Sequence, residues 1–185
     1  MNIIPRMARR VTMPAALHEA LELGESRSDR RLLAWSSLVG GGVAAATIKD
    51  LRIVTPRGTK IFRSWSEIDH AVWEQESRTL VIWWVDSRRT TPLEIQDDVG
   101  RLPEVIRERV QSSVVLTASV PLPNGRAGRV ALRRGPGGAL VAQTLVPVGV
   151  KEDAPDVAPL LAAAVEALWS EAGDHGLNET PVPGL

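Results

Sequence analysis

The sequence has no cysteine, no tyrosine and a single phenylalanine. Without cysteine there is no disulfide, no thiolate zinc site and no thiol nucleophile. Lysine is scarce too: of 22 basic residues, 3 are Lys and 19 are Arg. With many Ala, Gly and Pro, that bias reads as the codon usage of a GC-rich genome rather than as a function. No run reaches the roughly 18–20 apolar residues of a membrane span. The opening stretch MNIIPRMARRVTMPAALHEALEL carries Arg but no h-region, so a secretory signal is not expected. These absences predict a soluble cytoplasmic protein with no membrane span. Formal net charge is zero, so no overall field draws the chain to nucleic acid or to a membrane surface.

What is present is enough apolar residue, 44% of 185, to fill a core in one large domain or two small ones. Charge is segregated. Residues 109–151 hold six basic residues and no Asp or Glu, while residues 152–185 hold seven acidic residues and no Lys or Arg. The expectation is that the acidic end is a solvated helix face and tail, balancing a basic outer surface.

Apolar spacing predicts a short helix over 13–23, with Pro14 suited to a first turn. The stretch GESRSDR (24–30) reads as a polar turn. Strand patterns follow at 31–39, 42–50, 51–56, 59–65, around 69–75, 78–86 and 90–95. Pro92 argues that the last of them is an edge or a bulge. Such short strands, with turn signals about 8–12 residues apart, point to an antiparallel barrel or sandwich. The period then changes. RLPEVIRERVQSS (101–113) lines up Leu102, Val105, Ile106 and Val110 on one stripe, an amphipathic helix that must cover something. Strands at 113–122, 128–134 and 138–147 come next, separated by PNGRAG and GPGG turns. A last helix is expected to start at Asp153, with Pro155 in its first turn and Gly173 as its stop. Its apolar face would hold Val157, Leu160, Leu161, Ala164, Val165, Leu168 and Trp169.

The stretches RLLAWSSLVGGGVAAATIKDLRIVTP and SWSEIDHAVWEQESRTLVI, followed by RLPEVIRERV, carry a family resemblance. Seven short antiparallel strands closed by one helix resemble the pleckstrin-homology-like (PH-like) domain, including bacterial and GRAM-like members. The same order of segments resembles uncharacterised actinobacterial proteins. The likeness covers about residues 30–113. It implies a domain that binds phosphoinositides, peptides or other proteins. SSLVGGGVA has no Lys or Arg, so the basic first hairpin of the lipid-binding members is missing.

The expected architecture is therefore α+β: an arm and short helix (1–30), a PH-like barrel or sandwich with its capping helix (31–113), a hairpin-rich segment and C-terminal helix packed on it (114–175), and a flexible tail (176–185). TLVIWWVD (79–86) poses a specific question. Both faces of this strand are apolar and Trp83 and Trp84 point opposite ways, so they are candidates for a partner surface. The outer one is expected to be covered by the second half of the chain, then in order of preference by another subunit or a ligand. Trp35, Trp65, Trp73 and Trp169 are expected in cores.

Candidate chemistry is sparse. Arg52, Arg57 and Arg63, with Lys49 and Lys60, lie on adjacent strands, and Arg129, Arg133 and Arg134 share another hairpin with Arg126. Clustered, they would hold phosphate or an acidic partner. The neutral overall balance argues against nucleic acid. Asp69–His70, with Glu67 nearby, is the most enzyme-like group. Adjacent strand residues face opposite ways, so the pair is not expected to meet, and a structural role is the expectation. GGG at 40–42 and RGPGGA at 134–139 read as turns, not phosphate loops. No cofactor or metal motif is present. The reading is a non-catalytic binding or scaffold module with an unidentified protein partner or a second copy of itself. Phosphate or nucleic-acid binding, and an enzyme of unrecognised type, are the alternatives.

Overall fold

The computed structural model describes residues 13–23, 31–96, 100–123 and 125–177. Within them the chain is α+β, with three antiparallel sheets. The arm at 1–12, the turn at 24–30 and most of the expected tail, 178–185, lie outside the described residues. Helix α1 (Ala15–Ala20) begins after Pro14. Strands β1 (Leu32–Ser37), β2 (Val43–Thr47), β3 (Asp50–Val54) and β4 (Lys60–Ser64) pair in chain order. A 3-10 turn at Trp65–Glu67 leads into β5 (Ile68–Glu74), β6 (Thr79–Trp84) and β7 (Thr90–Glu94), a second meander with β7 at its edge, where Pro92 is tolerated. Helix α2 (Leu102–Ser113) precedes the third sheet, β8 (Val114–Pro121), β9 (Ala127–Arg134) and β10 (Leu140–Leu145), with β9 central. Helix α3 (Ala158–Asp174) follows.

Turn chemistry sets these boundaries. Gly42 has φ +100°, and a Cβ there would lie 2.4 Å from the Val54 carbonyl oxygen, so the β1–β2 hairpin closes only on glycine. The β5–β6 turn has no glycine and instead puts Arg78 at φ 51°. Ser64 and Glu67 form a reciprocal capping box around the 3-10 turn.

The first two sheets face each other across one core. Ala44, Ala46, Leu51 and Ile53 meet Ile68, Leu80, Ile82, Trp84 and Leu93 there. The α2 stripe, Leu102, Val105, Ile106 and Val110, is buried in the same cluster. Burial of each such Leu or Ile is worth about 1.5–3 kcal/mol. All five residues of β2 are buried, because its alanines are short enough to admit the core on one face and α1 on the other. On that outer side Leu21 and Leu23 cover Val43 and Ala45, with Trp35 against them. The expected barrel does not close. The 3-10 turn breaks the pairing between β4 and β5, and its Glu67 carbonyl accepts instead from Val85 N–H, extending the β5–β6 ladder. At the other corner β1 and β7 touch through one bridge, Leu38 to Ile95, flanked by Val39 N–H to Glu94 O and Gln96 N–H to Ser37 O.

The third sheet has its own core against α3: Val120, Val130, Leu132, Val157, Leu161, Leu168 and Ala172. Leu177 packs there as well, with its N–H bonded to the Ala172 carbonyl, so the helix closes over Gly176 (φ 63°) rather than at Gly173. The start of α3 also differs from expectation. Residues 152–157 form turns, and Pro159, not Pro155, takes the first helical turn. Leu160, expected on the apolar face, is 40% exposed. The opposite face of β9 buries Ala131 and Arg133. Arg133 joins the two halves. Its guanidinium donates to the carbonyls of Trp65, Ile68 and Val110 and to Ser113 Oγ, at 2.6–3.2 Å. Gln143 Nε2 donates to the Ser66 carbonyl at 2.6 Å. The carbonyls that the 3-10 turn withholds from any ladder are thus satisfied from the third sheet. No described helix is long and apolar enough to cross a membrane.

Candidate functional site

The two tryptophans of β6 part company. Trp84 faces the core, 9% exposed, and its Nε1 donates to Thr91 Oγ1 at 2.8 Å. The Arg63 guanidinium lies 5.6 Å from its ring centre. Trp83 is on the outer face, half-buried, with its ring stacked on His70 at 4.5 Å. Cross-strand pairing defines that face in rows: His70–Trp83–Thr90, Val72–Val81–Pro92 and Glu74–Thr79–Glu94. The second half of the chain was expected to cover it. Instead Val72 is 42% exposed and Pro92 is exposed, and β9 reaches only its edge, where Arg129 pairs with Asp69. The third sheet is held elsewhere, on the 3-10 turn and the end of α2, by the Arg133 joint.

Asp69 and His70 do meet, contrary to the alternation argument. Ile68 pairs with Trp84 and His70 with Trp83, so β5 has one extra residue, a β-bulge at Asp69. The bulge turns both side chains to one side, and Asp69 Oδ2 accepts from His70 Nδ1 at 2.8 Å. Asp69 Oδ1 accepts from Arg129 Nη2. The carboxylate therefore orients the imidazole, the arrangement a general base uses. The dyad lines neither of the two clefts described below. Glu67 is occupied otherwise. Burial pushes its carboxyl up, but Arg63 and the Ser64 N–H and hydroxyl together hold it below the ordinary value. Arg63 is in turn raised by its bonds to Glu67 and Asp86.

The arginines do not gather into one patch. Arg52 is bound by Asp50 and by the carbonyls of Leu21 and Glu22, which ties β3 to the end of α1. Arg63 holds Glu67 and Asp86, and Arg129 holds Asp69. Arg133 is 3% exposed, and burial holds it below the usual guanidinium range against the pull of Asp69. Arg57 and Arg134 each line a cleft. The Arg57 cleft, about 450 Å³, runs between Leu38, Val39, the β3–β4 turn and β7, and opens beside Pro92 and Glu94 of the outer face. Val39, on its rim, is 47% exposed.

The Arg134 cleft, about 430 Å³, lies along the seam between the halves. Its walls are the β2–β3 turn (Ile48, Lys49), Ser64 and Trp65, the last turn of α2 (Arg109, Ser112, Ser113) and the turn at 135–138. The Thr47 hydroxyl shapes the first wall by accepting from the N–H groups of Lys49 and Asp50. The Ile48 carbonyl accepts from Trp65 Nε1 at 3.1 Å and Arg109 Nη2 at 2.9 Å. Arg109 was not singled out from the sequence, although a signal existed. It stands at i+4 from Val105 and i+7 from Leu102, on the border of the buried stripe, where a long side chain runs along the core and ends at its rim. Among the described residues, no group of three or more His, Asp or Glu is placed to hold a metal ion. Neither a family model, nor a curated protein, nor a solved structure matches this chain.

Proposed function

We propose that the chain is a non-catalytic binding module whose residues 31–113 form a PH-like unit and which self-associates through the outer face of β5, β6 and β7. The order of elements supports the PH-like assignment: four strands, then three, then a helix whose apolar stripe fills the core between the sheets. The observation that carries the association is the outer apolar row Val72–Val81–Pro92 beside Trp83, exposed at Val72 and Pro92 and continued by Val39 at the neighbouring cleft. An open apolar face of this kind marks a contact surface.

Charge complementarity favours a second copy as its occupant. Glu74 and Glu94 stand at one end of the face, and the exposed Arg88 and Arg89 stand in the β6–β7 loop at the other. A two-fold axis in the plane of contact, across the strands, would lay the acidic end of one copy on the basic end of the other. Trp83, rigid and half-buried, would sit in the middle of such a contact, where aromatic anchors contribute most. Light scattering coupled to gel filtration tests this. The expected result is twice the chain mass at high concentration, returning to a single chain in Trp83→Ala and in Val72→Lys. A single-chain mass for the unaltered protein at every concentration would refute self-association.

A further inference from the structure

We infer that the cleft along the seam is an anion site for a small phosphate-bearing molecule, held by Lys49, Arg109 and Arg134. This stands apart from self-association, which uses none of these residues.

Three cationic side chains from three separate elements converge on the cleft: the β2–β3 turn, the last turn of α2 and the end of β9. Among the described residues that line it there is no Asp or Glu. Among the described residues neither Arg109 nor Arg134 has a carboxylate within ion-pair distance, whereas Arg52, Arg63 and Arg129 each carry one. Arg109 places one donor on the Ile48 carbonyl, while its Nε is buried with no hydrogen-bond partner. Arg134 donates Nη1 to the Gly138 carbonyl, which fixes the head of the side chain against the glycine turn that forms the cleft's far wall.

A fourth charge lies behind the wall. The end of a helix is electronegative and would repel an anion. Here the Arg133 guanidinium occupies that end. It donates to the Val110 carbonyl at 3.2 Å and twice to Ser113 Oγ, and Ser113 lines the cleft. Its hydrogen-bond partners are neutral oxygens, and Asp69, the carboxylate that acts on it, already holds Arg129 and His70. A buried cation bonded only to neutral groups leaves its field to be felt in the nearest solvent-filled space. On the far side, Gly137 has open space where a Cβ would stand, so backbone can approach a ligand closely.

The chemistry follows from number and shape. Convergent guanidiniums and an ammonium suit a multiply charged, many-oxygen anion better than a single carboxylate. A volume of about 430 Å³ is that of a small-molecule pocket. A nucleic acid would need a track of cations along its backbone, and the arginines that would extend such a track are committed to Asp50, Glu67, Asp86 and Asp69.

Isothermal titration of the full chain with phenyl phosphate, inorganic phosphate and a short single-stranded oligonucleotide at matched ionic strength tests this. Saturable binding of phenyl phosphate is expected, weakened by about tenfold or more in Arg134→Gln and Arg109→Gln, and unchanged in Arg57→Gln, in the other cleft. Because Arg109 also braces Ile48, Lys49→Gln, on the exposed β2–β3 turn, serves as a third variant, with a severalfold loss expected. Tighter binding of phenyl phosphate than of inorganic phosphate would point to a phosphomonoester, and equal binding to free phosphate; both support the site. No saturation with either phosphate, or saturation untouched in all three cleft variants, would overturn it. Oligonucleotide binding that is tighter than either and steeply salt-dependent would overturn the small-molecule assignment in favour of nucleic acid.

Discussion

Trp83 and Trp84 are chain neighbours on one strand, equal in size and in apolar surface, yet they belong to different surfaces of the molecule. Trp84 enters a core that supplies Leu80, Ile82 and Leu93 around it, an acceptor for its N–H at Thr91 and a guanidinium over its ring. Trp83 is stacked on a same-sheet neighbour, His70, on the outer face. The strand itself does not distinguish them. What differs is what lies opposite: a second sheet and a helix on the inner side, and on the outer side the edge contact of Arg129. An apolar strand face is therefore a demand for cover, and whether the cover comes from within the chain is decided by elements far away in sequence.

That contrast can be broken or sharpened by substitution. Trp84→Ala should produce the largest change, a loss of about 3–5 kcal/mol in urea-induced unfolding, and a loss below about 1 kcal/mol would mean the two faces are not as different as their burial implies. Trp83→Ala removes a half-buried ring and its stack, and should cost about 0.5–1.5 kcal/mol while abolishing the dimer in light scattering. Glu67→Gln tests the inner side indirectly, because Glu67 caps the 3-10 turn and holds the Arg63 that covers Trp84. The expected cost is about 1 kcal/mol. Its pH dependence has a definite sign. The carboxyl titrates below its ordinary value of 4.5 in the folded chain, so its contribution is complete above pH 4.5 and is lost as pH falls through the lowered folded value. The stability gap between the unaltered chain and Glu67→Gln should accordingly be constant above that point and shrink below it. Val72→Lys, at a 42% exposed position, should change stability by less than about 0.5 kcal/mol and still weaken association.

Periodic features were legible in the sequence. The α2 stripe at Leu102, Val105, Ile106 and Val110 is buried as its spacing requires, and Pro92 sits on an edge strand. Features set by one residue of slippage or by distant partners were not. The Asp69–His70 contact depends on a single-residue bulge, which alternation cannot foresee. In GRVALRR the pattern tells that Arg133 and Arg134 face opposite sides, but not which side is interior, because the carbonyls that make Arg133 at home belong to a turn more than 60 residues earlier. The α3 start was misplaced because Pro155 and Pro159 both satisfy the first-turn rule, and only the packing of Val157 and Leu161 on the third sheet selects the later one. The candidate anion cleft was half legible. Lys49 and Arg134 stood out as charges, whereas their meeting with Arg109 is a product of how the two halves dock.

The Arg133 joint bears on the order in which the molecule assembles. Its bonds to Trp65 and Ile68 span 68 and 65 residues, and the Gln143 bond to Ser66 spans 77, whereas each half closes its own apolar cluster from nearby meanders. Contacts of long loop closure form late. They are also polar, exchanging water on those carbonyls for a guanidinium with little net gain. The seam should therefore be a last-formed and first-opened boundary, seen in hydrogen exchange as a step in which the halves separate while the amides inside each remain protected.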